Sequence, residues 1–127
     1  MRIMGIDFGS KRVGIAISDE DEKIAFPTVV LPNDKNLLNE VHKICEANKV
    51  GEVVFGESND LDGKPNPIMK KIEDFKKKAA EKIKVPFKME PEFFTSVEAE
   101  RIQGKTEMQD ASAAALILQN HLDKHQK

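Results

Sequence analysis

The chain has 127 residues, 39% hydrophobic and 33% charged, which predicts one globular domain over residues 1–127 rather than a disordered chain. Its net charge of -2 gives no overall attraction to nucleic acid, so nucleic-acid binding would need local basic residues or metal ions. The sequence contains no bilayer-length apolar run, no cationic leader and only one cysteine, Cys45, so we expect a cytoplasmic protein without disulfides or membrane contact.

A β-hairpin is predicted at the start of the chain. Apolar runs at Ile3–Phe8 and Val13–Ile17 flank a short polar turn that begins at Gly9. Asp7 interrupts the first run on the face of Ile3, where burying an unpaired carboxylate is costly. We interpret Asp7 as a ligand. Three glycines are predicted to leave space around it: Gly5, Gly9 and Gly14.

The remaining chain predicts strands that alternate with helices. A third strand at Lys23–Leu31 contains Pro27, which is typical of a sheet edge. Apolar spacing then predicts helices from Asn36, from Ile68 and over Met108–His125, with strands at Val53–Phe55 and Val85–Met89. This order indicates an α/β fold whose sheet is antiparallel on one side and parallel on the other.

Four acids fall near the ends of these elements: Asp7, Glu57, Glu92 and Asp110. If the first, fourth and fifth strands are neighbours, these acids converge where the last helix begins. Carboxylates from separate elements are suitable anchors for magnesium ions that promote phosphodiester hydrolysis. The sequence has no pattern for a Ser-His-Asp or Cys-His nucleophile, a Walker loop or a Cys/His zinc cluster.

Several reactive residue types have structural interpretations. Cys45 lies on the apolar stripe of its helix and is interpreted as a small buried hydrophobe. The lysines between Lys70 and Lys84 are interpreted as a solvated helix face, with a phosphate-contact surface as the alternative. His121 and His125 have the spacing of metal ligands, but no nearby carboxylate or cysteine completes a zinc site. Glu98 belongs to a capping box that starts at Thr95.

The segment Gly5–Ala16, GIDFGSKRVGIA, resembles the opening motif of the YqgF (RuvX) family of pre-16S rRNA nucleases and Holliday-junction-resolvase-like proteins. Asn59–Gly63 and Glu92–Ala99 are similar to two later family segments, and Asp110–Leu118 is similar to the closing helix. The motifs occur in family order over essentially the whole chain. The resemblance implies an RNase H-like fold with a five-stranded mixed sheet, three antiparallel strands followed by two parallel ones, flanked by helices.

The resemblance also implies a divalent-metal-dependent nuclease that uses Mg²⁺ or Mn²⁺ and matures the 5′ end of 16S rRNA. By position, Asp7, Glu92 and Asp110 would be the catalytic, metal-binding acids. Glu57 is either a further metal ligand, as its position in the related RuvC resolvases implies, or a solvated loop acid. Four residues are expected to contact substrate phosphates: Ser10, Lys11, Arg12 and, as a further candidate, Lys105.

Three departures from the family pattern leave the substrate and the rate open. The chain has Gly56-Glu57-Ser58 in place of Gly-Leu-Pro, Pro91 where Asp is frequent, and Met108-Gln109 where a basic residue is common. The alternatives to a nuclease acting on pre-16S rRNA or ribosomal precursor particles are a resolvase of branched DNA and a non-catalytic RNA- or ribosome-binding module. An actin-like ATPase is disfavoured because the chain is too short for two domains.

Overall fold

The computed structural model describes residues 1–9, 11–57, 68–91 and 108–125. Within these ranges the chain forms five strands and three helices. In chain order they are β1 (Arg2–Phe8), β2 (Arg12–Ser18), β3 (Ala25–Pro32), α1 (Leu37–Ala47), β4 (Val50–Glu57), α2 (Ile68–Lys82), β5 (Phe87–Pro91) and α3 (Met108–His125). The predicted five-stranded mixed sheet flanked by helices is confirmed. The capping box at Thr95 and Glu98 lies outside the described residues.

The strands form one sheet in the order β3-β2-β1-β4-β5. β2 pairs antiparallel with both β1 and β3, whereas β4 pairs parallel with both β1 and β5. The edge position predicted for the third strand from Pro27 is confirmed. The predicted adjacency of the first, fourth and fifth strands is also confirmed, and their carboxyl ends therefore lie at one edge of the sheet.

Strand boundaries differ from the predictions where pairing extends or moves a strand. β4 runs over eight residues rather than Val53–Phe55, because it pairs with β1 from Val50 and with β5 up to Glu57. β5 begins later than predicted, after Pro86, whose carbonyl accepts a hydrogen bond from the Val53 N–H at 2.9 Å. β5 ends at Pro91, the residue before Glu92.

The face of the sheet beneath α1 and α2 is packed with large apolar side chains. Phe55 lies at the centre of β4 and is fully buried, and Phe75 of α2 packs against it with ring centroids 6.2 Å apart. Cys45 of α1 belongs to the same cluster and is 4% exposed. Burial raises the pKa of the Cys45 thiol to about 11, with a smaller contribution from the nearby Glu46. The interpretation of Cys45 as a buried hydrophobe is confirmed.

The opposite face is covered by α3, which approaches the sheet closely. A Cβ added to Gly5 would lie 2.7 Å from the Cβ of Leu118 and 2.9 Å from the carbonyl oxygen of Ala114. Gly5 therefore makes room for a helix, whereas the sequence had indicated room for a ligand. Gln119 also joins α3 to the start of β3, because its side chain donates to the Lys23 carbonyl and accepts from the Ala25 N–H.

Candidate active site

Asp7 lies one residue before the end of β1, the central strand of the sheet. Strand alternation places it on the face of Ile3 and Gly5, which is the face covered by α3. Its partner on β2 is Gly14, which has no side chain to cover it. Asp7 is accordingly only partly buried, although the residues around it in β1 are almost all buried.

One further predicted acid, Glu57, belongs to β4, a strand beside β1. Ile6 pairs with Phe55, and Glu57 ends β4 two residues further on. Glu57 in turn pairs with Pro91, the last residue of β5. Glu92 follows directly in the chain but lies outside the described residues, as do Ser10 and Lys105. The backbone positions of Asp7 and Glu57 thus share the carboxyl edge of the sheet, and β5 ends at the same edge with Pro91.

The helix α3 begins near this edge and runs antiparallel to β1. Ala114 and Leu118 lie against Gly5, and Leu122 packs in one cluster with Ile3 further back along the strand. Position 110 precedes Ala114 by one helical turn, or about 6 Å. Asp7 follows Gly5 by two strand residues, also about 6 to 7 Å. The start of α3 and Asp7 therefore lie at the same level of the sheet.

The turn between β1 and β2 carries the two described basic residues expected to contact phosphate. The Gly9 N–H donates to the Arg12 carbonyl at 3.0 Å, and a Cβ at position 9 would lie 2.5 Å from the same oxygen, so the turn requires glycine. Asn33 holds the turn from the end of β3, because its N–H donates to the Lys11 carbonyl and its side-chain amide to the Gly9 carbonyl. Lys11 and Arg12 are exposed, and they lie two to three residues before Gly14, the pairing partner of Asp7 on β2.

A buried ionic network, which the sequence did not predict, lies beneath the second half of α3. His121 is 4% exposed, and its Nε2 lies 2.8 Å from Oε2 of Glu52 on β4. Its Nδ1 lies 3.4 Å from Oε1 of Glu90 on β5. Glu52 and Glu90 are themselves 7% and 3% exposed. Lys88 pairs with Glu52 at 3.1 Å and Lys124 pairs with Glu90, both from the rim of the network.

This network corrects the interpretation of His121. The sequence indicated no carboxylate near His121, but the sheet brings two, because β4 and β5 pass beneath the same stretch of α3. Each of the two ring nitrogens faces a carboxylate oxygen, so the His121 ring joins Glu52 to Glu90. Among the described side chains, no group of three or more His, Cys, Asp or Glu residues is arranged to hold a metal ion. Little in the sequence indicated this network, because Glu52 and Glu90 each lie one residue outside the strands predicted at Val53–Phe55 and Val85–Met89.

Comparison with known proteins identifies the family. The family model described as "RuvX: Holliday junction resolvase" matches residues 1–124. The chain belongs to the RuvX family. The family predicted from the sequence motifs is confirmed, and with it the prediction that the protein is a nuclease, a hydrolase that acts on nucleic acid.

Relatives within the RuvX family match this chain over almost its full length. A "putative pre-16S rRNA nuclease" of Thermoanaerobacter pseudethanolicus is 33% identical over 134 residues, which cover 97% of this chain and 96% of the relative. A protein of the same description from Dictyoglomus turgidum is 34% identical over 133 residues, covering 97% of this chain and 94% of the relative.

Two of the solved structures similar to this chain are Holliday junction resolvases. RuvC of T. thermophilus, in complex with a Holliday junction substrate, has a TM-score of 0.66 at 15% identity and covers 98% of this chain and 95% of its own. The Fowlpox virus resolvase bound to Holliday junction DNA has a TM-score of 0.64 at 15% identity and covers both chains completely. At this identity the likeness supports the RNase H-like fold.

No helix in the described ranges is long and apolar enough to cross a membrane.

Proposed function

We propose that this protein is a divalent-metal-dependent nuclease that hydrolyses phosphodiester bonds in 5′-end maturation of pre-16S rRNA. The observation that carries the proposal is Asp7, a partly buried carboxylate at the carboxyl end of the central strand, level with the start of α3. The name shared by its relatives in Thermoanaerobacter and Dictyoglomus supports the rRNA substrate. We also propose that residues 1–127 act as one domain in the cytoplasm.

The residues proposed for the metal site are Asp7, Glu92 and Asp110, with Glu57 as a further candidate. All are carboxylates, and oxygen donors of this kind fit Mg²⁺ or Mn²⁺. Bound divalent ions would neutralise charge on the phosphate and make a water molecule a stronger nucleophile. The exposed position of Lys11 and Arg12, in a turn anchored by Asn33, supports a role in holding the substrate phosphates beside Asp7.

Cleavage assays with an Asp7 variant test this proposal. The substrates are labelled pre-16S 5′ leader RNA and a four-way DNA junction, each with Mg²⁺ or Mn²⁺. We expect the wild type to cut the RNA and Asp7→Asn to lose at least about a hundredfold in rate, because one metal ligand is removed. Asp21→Asn is the matched control, since Asp21 is an exposed acid in the turn at the other end of β2.

The outcomes separate the alternatives. Cleavage of the junction in preference to the RNA would replace the rRNA substrate with branched DNA, a substrate supported by the description of the family model. Equal behaviour of wild type, Asp7→Asn and Asp21→Asn on both substrates would contradict the nuclease proposal. A binding module would then remain, with RNA affinity unaffected by Asp7→Asn.

Thermal unfolding gives a second test of Asp7. Without metal, Asp7→Asn should raise the melting temperature, because it removes one of several like charges that the proposed site brings together. With millimolar Mg²⁺ the wild type should gain stability that the variant does not gain, since an ion bound only to the native state stabilises it. A lower melting temperature for Asp7→Asn without metal would indicate a structural carboxylate instead.

A further inference from the structure

A groove lies between α1 and α2 on the face of the sheet opposite to Asp7. It has a volume of about 490 Å³. Its floor is apolar and is formed by Phe8, Leu37, Leu38 and Phe75, and its two banks are charged. One bank is the segment before α1, with Asn33, Asp34 and Lys35, and the other is α2, with Lys71, Asp74 and Lys78. We call this feature the α1–α2 groove.

The lysines of α2 divide into two sets by their position on the helix. Lys71 and Lys78 are seven residues apart and both line the α1–α2 groove, so they form a row of two charges about 10 Å long. Lys70 and Lys77 have the same spacing and are equally exposed, but they lie outside the groove lining, about a quarter-turn away. Both sets are exposed, as the interpretation of a solvated helix face expects, but only the first set lines the groove.

The acids in the α1–α2 groove differ in their roles. Asp34 Oδ1 accepts a hydrogen bond from the Asn36 N–H at 2.9 Å, and its carbonyl accepts from the Leu37 N–H, so Asp34 fixes the start of α1. Asp74 lies between Lys71 and Lys78 along α2 and offsets part of their charge. An anionic occupant should therefore bind more tightly once the Asp74 charge is removed.

Phe75 gives the α1–α2 groove an aromatic surface. It is partly exposed and held between Phe8 and Phe55, with ring centroids 5.4 and 6.2 Å away. A fixed aromatic ring beside a row of cations is the combination that binds single-stranded nucleic acid, because bases stack on the ring while phosphates contact the cations. Duplex nucleic acid keeps its bases stacked inside and does not use such a ring.

The α1–α2 groove is joined to the proposed active site at the carboxyl end of β1. Phe8 in its floor directly follows Asp7, and Asn33 on its bank hydrogen-bonds the turn that carries Lys11 and Arg12. A single-stranded nucleic acid that leaves the groove at this end would pass those basic side chains before it reached Asp7. We infer that the α1–α2 groove binds a single-stranded segment of the nucleic-acid substrate, with phosphates on Lys71, Lys78 and Lys35 and a base on Phe75.

This inference rests on the proposed function for its substrate, but binding tests it without cleavage. The probe is a fluorescein-labelled 12-nucleotide oligo(U), titrated by anisotropy in EDTA at several salt concentrations. We expect Lys71→Ala/Lys78→Ala to weaken binding about 10- to 25-fold at 0.1 M salt and to lower the salt slope by about 1.4, because two phosphate contacts are lost. Lys70→Ala/Lys77→Ala removes the same charge from the same helix and should change affinity less than threefold.

Two further variants test the sign of the charge effect and the role of the ring. Asp74→Asn should strengthen binding, whereas Glu73→Gln, a neighbouring exposed acid outside the groove lining, should have a smaller effect. Phe75→Leu should weaken binding of oligo(U) but not of an abasic oligonucleotide of equal length, and its melting temperature checks that the fold is retained.

Equal losses in the two lysine pairs would overturn the inference, because they would show a response to net charge alone. Selective weakening by Lys71→Ala/Lys78→Ala together with base-dependent weakening by Phe75→Leu would support it. The result is independent of the cleavage assay. A wild type that cuts RNA but shows no groove-specific binding would leave the nuclease proposal intact, and groove-specific binding without cleavage would contradict only the nuclease proposal.

Discussion

The two faces of the sheet are built in different ways. The face beneath α1 and α2 is packed with Phe, Met, Ile, Leu and Val side chains, with Phe55 at its centre. The face beneath α3 has fewer large apolar side chains and several ionisable ones. Asp7 lies at one end of this face, and the buried group of Glu52, Glu90 and His121 lies further along it. Apolar packing therefore stabilises the contact of α1 and α2 with the sheet. The contact of α3 with the sheet depends instead on the short distance between helix and strand and on paired charges.

This difference follows from how α3 contacts the sheet. A helix that rests against Gly5 leaves little space for large side chains between the two layers. Acids on β4 and β5 are buried there, and buried charges are tolerated only when they are paired and hydrogen-bonded. His121 provides that pairing for both carboxylates. Substitutions that break this pairing on the α3 face should therefore lower the free energy of unfolding. The loss should be larger than that caused by conservative apolar substitutions on the face beneath α1 and α2.

The largest expected effect is at His121. His121→Leu leaves Glu52 and Glu90 buried without their shared partner, so we expect the free energy of unfolding to fall by about 3–5 kcal/mol. Denaturant unfolding with urea measures it. The comparison on the other face is Met4→Leu, a swap of nearly equal volume at a fully buried position, which should cost less than about 1.5 kcal/mol.

A combined variant shows whether charge pairing is the cause. Glu52→Met, Glu90→Met and His121→Leu together replace the whole group with apolar side chains, and most of the lost stability should return. If the combined variant is no more stable than His121→Leu alone, the three residues do not act as one ionic group.

Gly5 should show the next largest effect. Gly5→Ala brings a Cβ against Leu118 and the Ala114 backbone, so α3 must move, and we expect a loss of about 1–3 kcal/mol in unfolding free energy. Gly51→Ala is the control, because the atoms nearest to its Cβ would belong to the flexible side chain of Met1. Equal losses at Gly5 and Gly51 would mean that strand glycines matter here for some reason other than the approach of α3.

Gln119 tests how α3 is joined to the edge strand. Gln119→Ala removes the hydrogen bonds to Lys23 and Ala25, and we expect a loss of about 1–2 kcal/mol. Hydrogen exchange should quicken at the Ala25 N–H while the centre of β1 stays protected. Asn120→Ala, an exposed neighbour on α3, should leave both measurements unchanged.

The last and smallest expected effect is the reactivity of the Cys45 thiol, on the face beneath α1 and α2. Burial raises the pKa of its thiol to about 11, so at pH 8 the reactive thiolate should be about a hundredfold scarcer than for an exposed thiol. Labelling by a disulfide reagent should be slow in the native protein, should quicken as the pH rises toward 11, and should be fast in urea. Rapid native labelling at pH 8 would show that this side of the core opens readily.

Sequence patterns were most informative where the chain determines its own local structure. The hairpin around Gly9, the edge position of Pro27 and the extent of α3 follow from turn chemistry and from apolar periodicity, which depend on neighbouring residues. The anomaly of Asp7 was visible because a carboxylate within an apolar strand is rare. Of the candidate site, the sequence predicted Asp7 and its strand, and the order of the elements predicted that Glu57, Glu92 and Asp110 converge with it. The family resemblance added that Asp7, Glu92 and Asp110 are the metal-binding acids.

Only the tertiary structure decided which distant residues meet. Glu52, Glu90 and His121 lie on three elements, and no spacing along the chain relates them, so His121 was wrongly interpreted as having no nearby carboxylate. The structure also showed that Gly5 makes room for α3, and that Lys71 and Lys78 line a groove that Lys70 and Lys77 do not. Local preferences along the chain determined the elements of this protein, but its buried charges and its groove depend on the order and pairing of five strands, which bring together residues far apart in the sequence.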